Sequence, residues 1–445
     1  MASLASETSA PIAGRPGKVK IQVVLSLFVF AYFASQAMSI SLLSNWLKST
    51  LSLTGEQTGT VLGANFIAAL VVQPLYGFIS DKIGFRKHVL WFLALMVGCC
   101  APFFYFVYEP LLKTQLWLGA AVGGAYLSLT FMAGSFALES YVDRMGRWYG
   151  FEYSRVRMFG ALGFASAAYF SGDLFNINPH INFAIASGMA VILIGALFFL
   201  RTTGNTEAAQ TPRRVTFGDS LAVLKLPKFW GFMVLILGVT NLYLVFDQQF
   251  PVYYASQFET EAIGRVMFGR LNFAQIFLEA GMLFVAPFIV NITGIKRGLL
   301  LAAGIMIIRI TGSGLVEGPI AISAMKMLHS IELPILAVSI FRYIAAHFEA
   351  RLASTLYMVG VSFGHSLGLA ILSTPVGRLY DVLGFQHTYL IIGLGALACW
   401  IASIWALAPD PRTPPSDTAR ASPDTPVPDT PVIDPLLSSV PDAKQ

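Results

Sequence analysis

Long apolar stretches separated by short polar ones make up most of the chain. Each stretch contains about twenty residues, which is enough for an α-helix to cross the hydrocarbon core of a bilayer. The pattern predicts an all-α polytopic membrane protein with twelve transmembrane helices, near residues 21–47, 57–80, 89–107, 115–139, 156–175, 181–200, 228–254, 264–290, 298–316, 319–347, 353–375 and 388–408.

The longest polar interruption before the C-terminal region, residues 201–227, leaves six of these segments on each side. We therefore expect two pseudo-symmetric six-helix bundles, residues 21–200 and 228–408, joined by a cytoplasmic linker. A weak internal repeat supports the division, since GFRK at 84–87 matches GIKR at 294–297. Repeats at corresponding positions of two halves are typical of secondary transporters.

The two ends of the chain are polar. Residues 1–20 are expected to form a cytoplasmic segment that is not cleaved, because the following apolar stretch is too long for a signal peptide. Residues 409–445 hold ten of the 23 prolines, and this composition predicts a disordered cytoplasmic tail. We expect the tail to be dispensable, and a docking role is the alternative.

The composition agrees with a membrane location. The chain is 56% hydrophobic and only 12% charged, which excludes an ordinary soluble domain. With the N-terminus inside, the predicted cytoplasmic segments carry 18 Lys and Arg residues and the outer loops 5. This asymmetry predicts that both termini are cytoplasmic. It also accounts for the net charge of +5, so no nucleic-acid partner is indicated.

The three cysteines, Cys99, Cys100 and Cys399, all fall in predicted helices and lack the spacing of a metal or redox motif. No metal and no cofactor are expected.

One short loop carries a recognisable pattern, GFISDKIGFRK at residues 77–87. An ordinary anchoring loop would explain its cations, and the glycines suggest a tight turn and a close approach of helices. The pattern resembles the signature between helices 2 and 3 of the major facilitator superfamily. The resemblance implies a role in conformational gating for Gly77, Asp81, Gly84, Arg86 and Lys87.

Ionisable residues inside the predicted helices are the strongest candidates for function. A charge at the centre of a bilayer costs several kcal/mol, so such residues usually face a cavity or a partner. After the loop charges are set aside, the candidates are Glu139, Arg157, Asp247, Glu279, Arg309, Lys326, His329 and Glu332, with His365 as a further polar group.

The tenth helix carries three of them in the segment KMLHSIELP, residues 326–334. Residues three apart on an α-helix differ by about −60°, so Lys326, His329 and Glu332 form a slanting stripe on one face. Asp247, Arg309 and Glu279 of other helices are candidate partners. A purely structural ionic network is the alternative. Movement of an arginine relative to Glu332 would change its protonation, as a proton-coupled carrier requires.

The first half carries a different pair. Glu139 ends the fourth helix and Arg157 begins the fifth, so a short connection could bring them to one depth beside the central cavity. A carboxylate beside a guanidinium suits a polyhydroxylated ligand, and Phe164, two turns after Arg157, offers a ring for stacking on a sugar. A structural salt bridge is the alternative.

Several multi-residue segments together resemble the oligosaccharide:proton symporters, the family of the lactose and sucrose permeases. They are the run SRVRMFGALGF after Glu139, FDQQF at 246–250, IRITGS at 308–313, KMLHSIELP, and RLYDVLGFQ at 378–386.

The resemblance implies roles for individual residues. Glu139, Arg157 and Phe164 match sugar-binding positions, and Arg309, His329 and Glu332 match proton-handling positions, with Asp247 and Lys326 as an ion pair beside them. The substrate-binding set expected here is Glu139, Arg157, Phe164, Glu279, His329, Asp247 and Gln248. The proton-coupling set expected here is Glu332, Arg309, His329, Lys326 and Asp247.

Departures from the lactose permease pattern bear on the sugar. Ile276 stands where that protein has a glutamate, and an acid, Glu279, follows three residues later. Leu244 and His365 replace both members of a buried Asp–Lys pair, so no charge is left without its partner. QIFLEA at 275–280 is similar to sucrose permease, as are YEPLL (108–112) and PHINF (179–183), which we expect in outer loops.

These features favour a sucrose-type disaccharide carried with a proton across a bacterial inner membrane by alternating access, without catalysis. A symporter for galactosides or maltose, a passive facilitator and a non-transporting sugar sensor are the alternatives. The expected partners are the oligosaccharide, the proton and the lipid bilayer, and nothing in the sequence requires more than a monomer.

Overall fold

The computed structural model describes residues 17–83, 87–200, 225–348 and 356–410, without the side chains of 80–83 and 357–359. The first six helical segments are α1 (Lys18–Ser49), α2 (Gly55–Ile83), α3 (His88–Gly98 continued by Cys100–Thr114), α4 (Leu116–Tyr149), α5 (Tyr153–Ile177) and α6 (Pro179–Phe199).

The second set begins with α7 (Pro227–Ser256), α8 (Glu261–Thr293), α9 (Ile295–Leu315) and α10 (Pro319–His347). The last helical run has a glycine, Gly384, with φ 76° and ψ 171°, which separates α11 (356–383) from α12 (385–406). A residue with a side chain would be strained in this conformation.

The predicted all-α polytopic class is confirmed, and each predicted segment overlaps one of these helices. Within the described residues, nine helices are long and apolar enough to cross a membrane, or ten if the two parts of α3, bent by 50°, form one span. In that count α5 is not included, and α11 and α12 are taken together. The number of twelve spans therefore stays a prediction.

Two segments expected in outer loops are helical instead. YEPLL (108–112) lies in the last turns of α3, where Pro110 occupies the beginning of the helical segment Glu109–Thr114. PHINF (179–183) forms the first turn of α6, because Pro179 is preset for a helix N-terminus and the Asn178 side chain accepts a hydrogen bond from the His180 amide, 2.9 Å.

Helices of the first and second sets meet closely at one end of the molecule, where α2 and α8 begin and α5 and α11 end. A Cβ added at Gly377 would lie 2.1 Å from the Gly55 carbonyl oxygen, and one at Gly172 would lie 2.4 Å from that of Arg265. Side chains also bridge here, since Asn176 donates to the Ala262 carbonyl at 2.8 Å. We call this the Gly55 end.

The loop signature lies toward the opposite end and is only partly described. Lys87 donates from Nζ to the Leu197 carbonyl at 3.0 Å, which ties the start of α3 to α6. No described atom lies within 4 Å of a Cβ added at Gly77, so the close helix approach expected there is not seen. Gly84 and Arg86, with the side chain of Asp81, lie outside the described residues, as do most of the linker (201–224) and the tail (411–445).

Candidate functional site: a central cavity and a buried ionic cluster

A cavity of about 520 Å³ lies between helices of both sets. This volume is in the range of sites that enclose small organic ligands. Seven helices contribute to its wall: α1, α2, α4, α5, α7, α8 and α10. Among the sequence candidates, its lining includes Arg157, Phe164, Asp247, Gln248, Glu279, Lys326 and His329.

Arg309 is the centre of an ionic cluster behind the α7 and α10 wall of this cavity. Its guanidinium is fully buried and donates to Glu332 at 3.0 Å, to Asp247 at 2.5 Å and to the Tyr243 hydroxyl at 2.5 Å. The apolar segment IMIIRITGSG places Arg309 on the inward face of α9, where these groups supply the partners that lipid cannot.

Asp247 connects two cations from different helices. Its Oδ1 lies 2.5 Å from Arg309 Nη2 and 3.5 Å from Lys326 Nζ, so the carboxylate joins α7 to both α9 and α10. Lys326 is 4% exposed, and its ammonium also lies over the Phe250 and Phe268 rings, each centroid 5.6 Å away. The expected Asp247–Lys326 pair is therefore present, and the Arg309 contact is the shorter of the two.

Glu332 has no exposed surface, and its two carboxyl oxygens differ. Oε1 accepts from Arg309 and lies 3.3 Å from His329 Nδ1, whereas Oε2 is buried with no hydrogen-bond partner among the described residues. A buried carboxylate oxygen without a partner is most costly when the group is charged, and protonation removes that charge.

His329 lies between Glu332 and the cavity. Its ring lines the cavity and its Nδ1 contacts Glu332, Arg309 and the Tyr243 hydroxyl. The Tyr243 and His329 rings are stacked, with centroids 5.7 Å apart. A group in the cavity is thus connected to the buried carboxylate through a single imidazole.

Glu139 and Arg157 form the polar group on the opposite wall. Glu139 Oε1 lies 2.6 Å from Arg157 Nε, and the guanidinium also covers the Phe33 ring at 4.4 Å from its centroid. Arg157, Phe33 and Phe164 line the cavity, and Glu139 is joined to it through Arg157. These side chains offer charged hydrogen-bonding groups next to aromatic rings, the combination that binds hydroxyls and an apolar ring face.

One face of α8 completes the wall between these two groups. Asn272, Gln275, Ile276 and Glu279 all line the cavity, and their spacing of three, four and seven residues places them on one side of the helix. Gln275 is buried, and its Oε1 has no hydrogen-bond partner among the described residues. An amide with an unused acceptor suits an uncharged polyhydroxylated ligand.

Apart from Gln248, sequence reasoning missed the uncharged polar residues of the site. A search of the apolar segments for charged side chains does not find Tyr243, Asn65, Asn272 and Gln275. An amide in a membrane helix is also a costly group, so Asn65 and Gln275 carried a usable signal. His365, the remaining sequence candidate, lies 2.9 Å from the Thr240 hydroxyl.

The family model for the LacY proton/sugar symporter matches residues 18–414. Curated relatives agree with this match. The raffinose permease of Escherichia coli is 37% identical over 395 residues, which is 87% of this chain and 93% of the relative. The lactose permease of Klebsiella oxytoca is 38% identical over 369 residues, with 81% and 88% covered. The sucrose permease of Escherichia coli is 37% identical over 373 residues, with 82% and 89% covered.

Solved structures of transporters share the fold. The nucleoside transporter NupG superposes with a TM-score of 0.74 at 13% identity, covering 87% of this chain and 98% of NupG. A bacterial homolog of the human lysosomal transporter Spinster superposes with a TM-score of 0.61 at 12% identity, covering 88% and 96%. At these identities the likeness concerns the fold alone, and it confirms the expected major facilitator architecture.

Proposed function

Because the chain belongs to the LacY proton/sugar symporter family, and is a sugar permease rather than an enzyme, we propose that it carries an oligosaccharide together with a proton. The sugar occupies the cavity between Arg157 and His329, and Glu332 carries the proton. The observation that supports this most directly is the buried Glu332 carboxyl, bonded to Arg309 on one side and connected to the cavity by His329.

The division of labour follows from the positions of the two polar groups. Sugar hydroxyls bind Arg157 and the amides of α8, while the ring stacks on Phe164. Protonation of Glu332 weakens the attraction between the Glu332 carboxyl and Arg309. The Arg309 guanidinium then bonds mainly to Asp247. Because His329 contacts both the cavity and Glu332, sugar binding and proton binding favour each other, as a coupling free energy between two sites requires.

The proposed transport cycle is alternating access between the two six-helix bundles, 21–200 and 228–408. With both termini cytoplasmic, the Gly55 end faces outward, so this structure has its outer end closed. The proposed location is the inner membrane of a bacterium, where the proton gradient supplies the driving force. A monomer contains the whole cavity, which supports a monomeric transporter.

The proposed substrate is a disaccharide of the sucrose type, supported by Ile276, Glu279 and the absence of a charged pair at Leu244 and His365. The similar identities to relatives named for raffinose, lactose, sucrose and melibiose do not decide between sugars. A galactoside or maltose symporter remains the alternative substrate assignment.

The experiment is proton uptake by deenergised cells expressing the protein, recorded as alkalinisation of the medium after each of five sugars is added. We expect a signal with sucrose and a weaker or absent one with lactose, melibiose, raffinose and maltose. Sugar entry by counterflow without alkalinisation would indicate a passive facilitator, and binding without counterflow would indicate a sensor. Either result would overturn symport.

A further inference from the structure

Asp381, in the last turn of α11, bonds to the first turn of α2. Its Oδ1 accepts from the Gly55 amide at 2.6 Å and its Oδ2 from the Glu56 amide at 2.8 Å. Asp381 and Gly55 are 326 positions apart in the chain, and they belong to different sets of six helices. The contact therefore crosses the boundary between the halves, at the Gly55 end.

The two amides are free to bond Asp381 because the first turn of a helix leaves its N–H groups without intrahelical partners. The local cap of α2 covers a different group. The Thr54 hydroxyl accepts from the Gln57 amide at 3.2 Å, and the Gln57 side chain accepts from the Thr54 amide at 3.1 Å. The helix thus begins by means of its own capping box, and Asp381 adds bonds to Gly55 and Glu56 that α2 does not need in order to form.

The Asp381 bonds can exist only while α2 and α11 are in close contact. Beneath them, a Cβ at Gly377 would lie 2.1 Å from the Gly55 carbonyl oxygen, so the two backbones touch. Gln249 of α7 donates to that same carbonyl at 3.0 Å. If the helices separate at this end, the carboxylate and the two amides must bond to water instead.

We propose that Asp381 is a positioning residue for the transport cycle, which holds the Gly55 end closed by binding the N-terminus of α2. The carboxylate favours the closed state because its two bonds, and its attraction to the positive end of the α2 dipole, are present in that state alone. This role rests on the proposed alternating-access transport, and it is separate from sugar binding because Asp381 does not line the cavity.

The test measures how often the Gly55 end opens. A single cysteine replaces Ser44, a buried residue of α1 that lines the cavity, in a protein whose native Cys99, Cys100 and Cys399 are serines. A membrane-impermeant maleimide is added to right-side-out vesicles without sugar, and the labelling rate is recorded. Inside-out vesicles report labelling from the opposite face.

Asp381→Ala is expected to raise the labelling rate in right-side-out vesicles by roughly three- to tenfold, the range for losing solvent-exposed bonds to a charged group. Asp381→Asn, which keeps one acceptor oxygen and loses the charge, is expected to give an intermediate rate. Glu259→Gln is the matched control, because Glu259 is an exposed acid at the same end. Its labelling rate is expected to equal that of the parent protein.

A double-mutant cycle separates a positioning role from a general loss of stability. Gly377→Ala forces α2 and α11 apart and is expected to raise labelling with Asp381 intact. Adding Asp381→Ala to that variant should then change little, because the bonds are already broken. Thermal unfolding and sugar affinity of Asp381→Ala should stay at the parent values, since Thr54 still caps α2.

Unchanged labelling in Asp381→Ala, or a rise that comes with lower thermal stability and weaker sugar binding, would overturn the proposal. Additive effects of the two substitutions would overturn it as well. Sugar uptake by the parent protein is measured in the same vesicles. If the parent protein transports sugar and Asp381→Ala is labelled at the parent rate, only the role of Asp381 is refuted. If the parent protein does not transport sugar, the proposed function is refuted.

Discussion

At the scale of single residues, the proposed proton-binding role of Glu332 can be tested by a single substitution. Gln replaces one carboxyl oxygen by an amide nitrogen and resembles the protonated acid in size and hydrogen bonding. We expect Glu332→Gln to exchange sugar across the membrane at a rate close to that of the parent protein. Because it has no proton to release, we expect its accumulation of sugar against a gradient to fall to a ratio of about one.

Counterflow and active uptake in the same vesicles measure these two activities. Glu317→Gln provides the control, because Glu317 lies near the Gly55 end and accepts a hydrogen bond from Gln386 rather than from the cluster. Equal losses of exchange and accumulation in Glu332→Gln would remove Glu332 from the proton role.

Asp247 and Lys326 should differ in their tolerance of substitution, although they form an ion pair. Asp247→Ala removes the carboxylate from both Lys326 and Arg309, and leaves two buried cations short of a partner. Lys326→Ala leaves Asp247 bonded to Arg309. Removing one member of a buried pair costs roughly 3–5 kcal/mol, and we expect a cost in this range for Asp247→Ala and a smaller one for Lys326→Ala.

Thermal unfolding in detergent and initial rates of sugar uptake would measure this difference. The double variant Asp247→Ala with Lys326→Ala is expected to be more stable than Asp247→Ala alone, because one uncompensated cation has been removed. A less stable double variant would contradict this expectation, and it would show that Lys326 stabilises the protein through contacts other than Asp247, such as the Phe250 and Phe268 rings.

The charged members of the site could be predicted from the sequence because a charge in an apolar segment stands out without any knowledge of packing. Arg309 and Glu332 are examples. Tyr243 could not be distinguished in this way, since a tyrosine in a membrane helix is common. Its hydroxyl is identified as part of the site only by its contacts with Arg309 and His329. Those contacts depend on the rotation of three helices about their axes.

At the scale of helices, the start of α2 offers a local test of stability. Thr54 and Gln57 cap the helix reciprocally, and the site is exposed to water. Replacing an N-terminal cap of this kind by alanine costs about 1 kcal/mol, so Thr54→Ala should lower the unfolding free energy by that amount. Reversible unfolding in mixed micelles would measure it. Thr50→Ala serves as the control, because Thr50 ends α1 through its backbone amide, which donates to the Trp46 carbonyl and is kept in the variant.

The existence of the helices could be predicted from the length of the apolar segments, whereas the positions of their ends and bends could not. The sequence predicts a loop at Pro179, but this proline occupies the first turn of α6, a position that tolerates proline because the missing N–H would have no partner there. A loop is also predicted at Pro110, which lies in the last turns of α3, directly after the π-helical turn Phe104–Tyr108. The Asp381 contact with Gly55 could not be inferred from one sequence, since nothing local links α11 to α2.

At the scale of the whole molecule, the proposed mechanism assigns proton coupling and sugar recognition to different helices. The ionic cluster joins α7, α9 and α10 within the second set, while Arg157 and Phe164 belong to α5 of the first set. A sugar that contacts both sets is therefore held most tightly when they are close around it. Sugar and proton must both be bound, or both absent, for the change of state to produce coupled transport.

This coupling sets a limit on accumulation that the whole protein should reach. Moving one charge through 100 mV is worth about 2.3 kcal/mol, and about 1.4 kcal/mol corresponds to a tenfold ratio, so one proton per sugar permits roughly fifty-fold accumulation. Proteoliposomes with an imposed 100 mV potential should approach this ratio and lose it when a protonophore is added. A ratio near one before the protonophore would indicate facilitated diffusion, whereas a ratio well above fifty would require more than one proton per sugar and hence a second proton site besides Glu332.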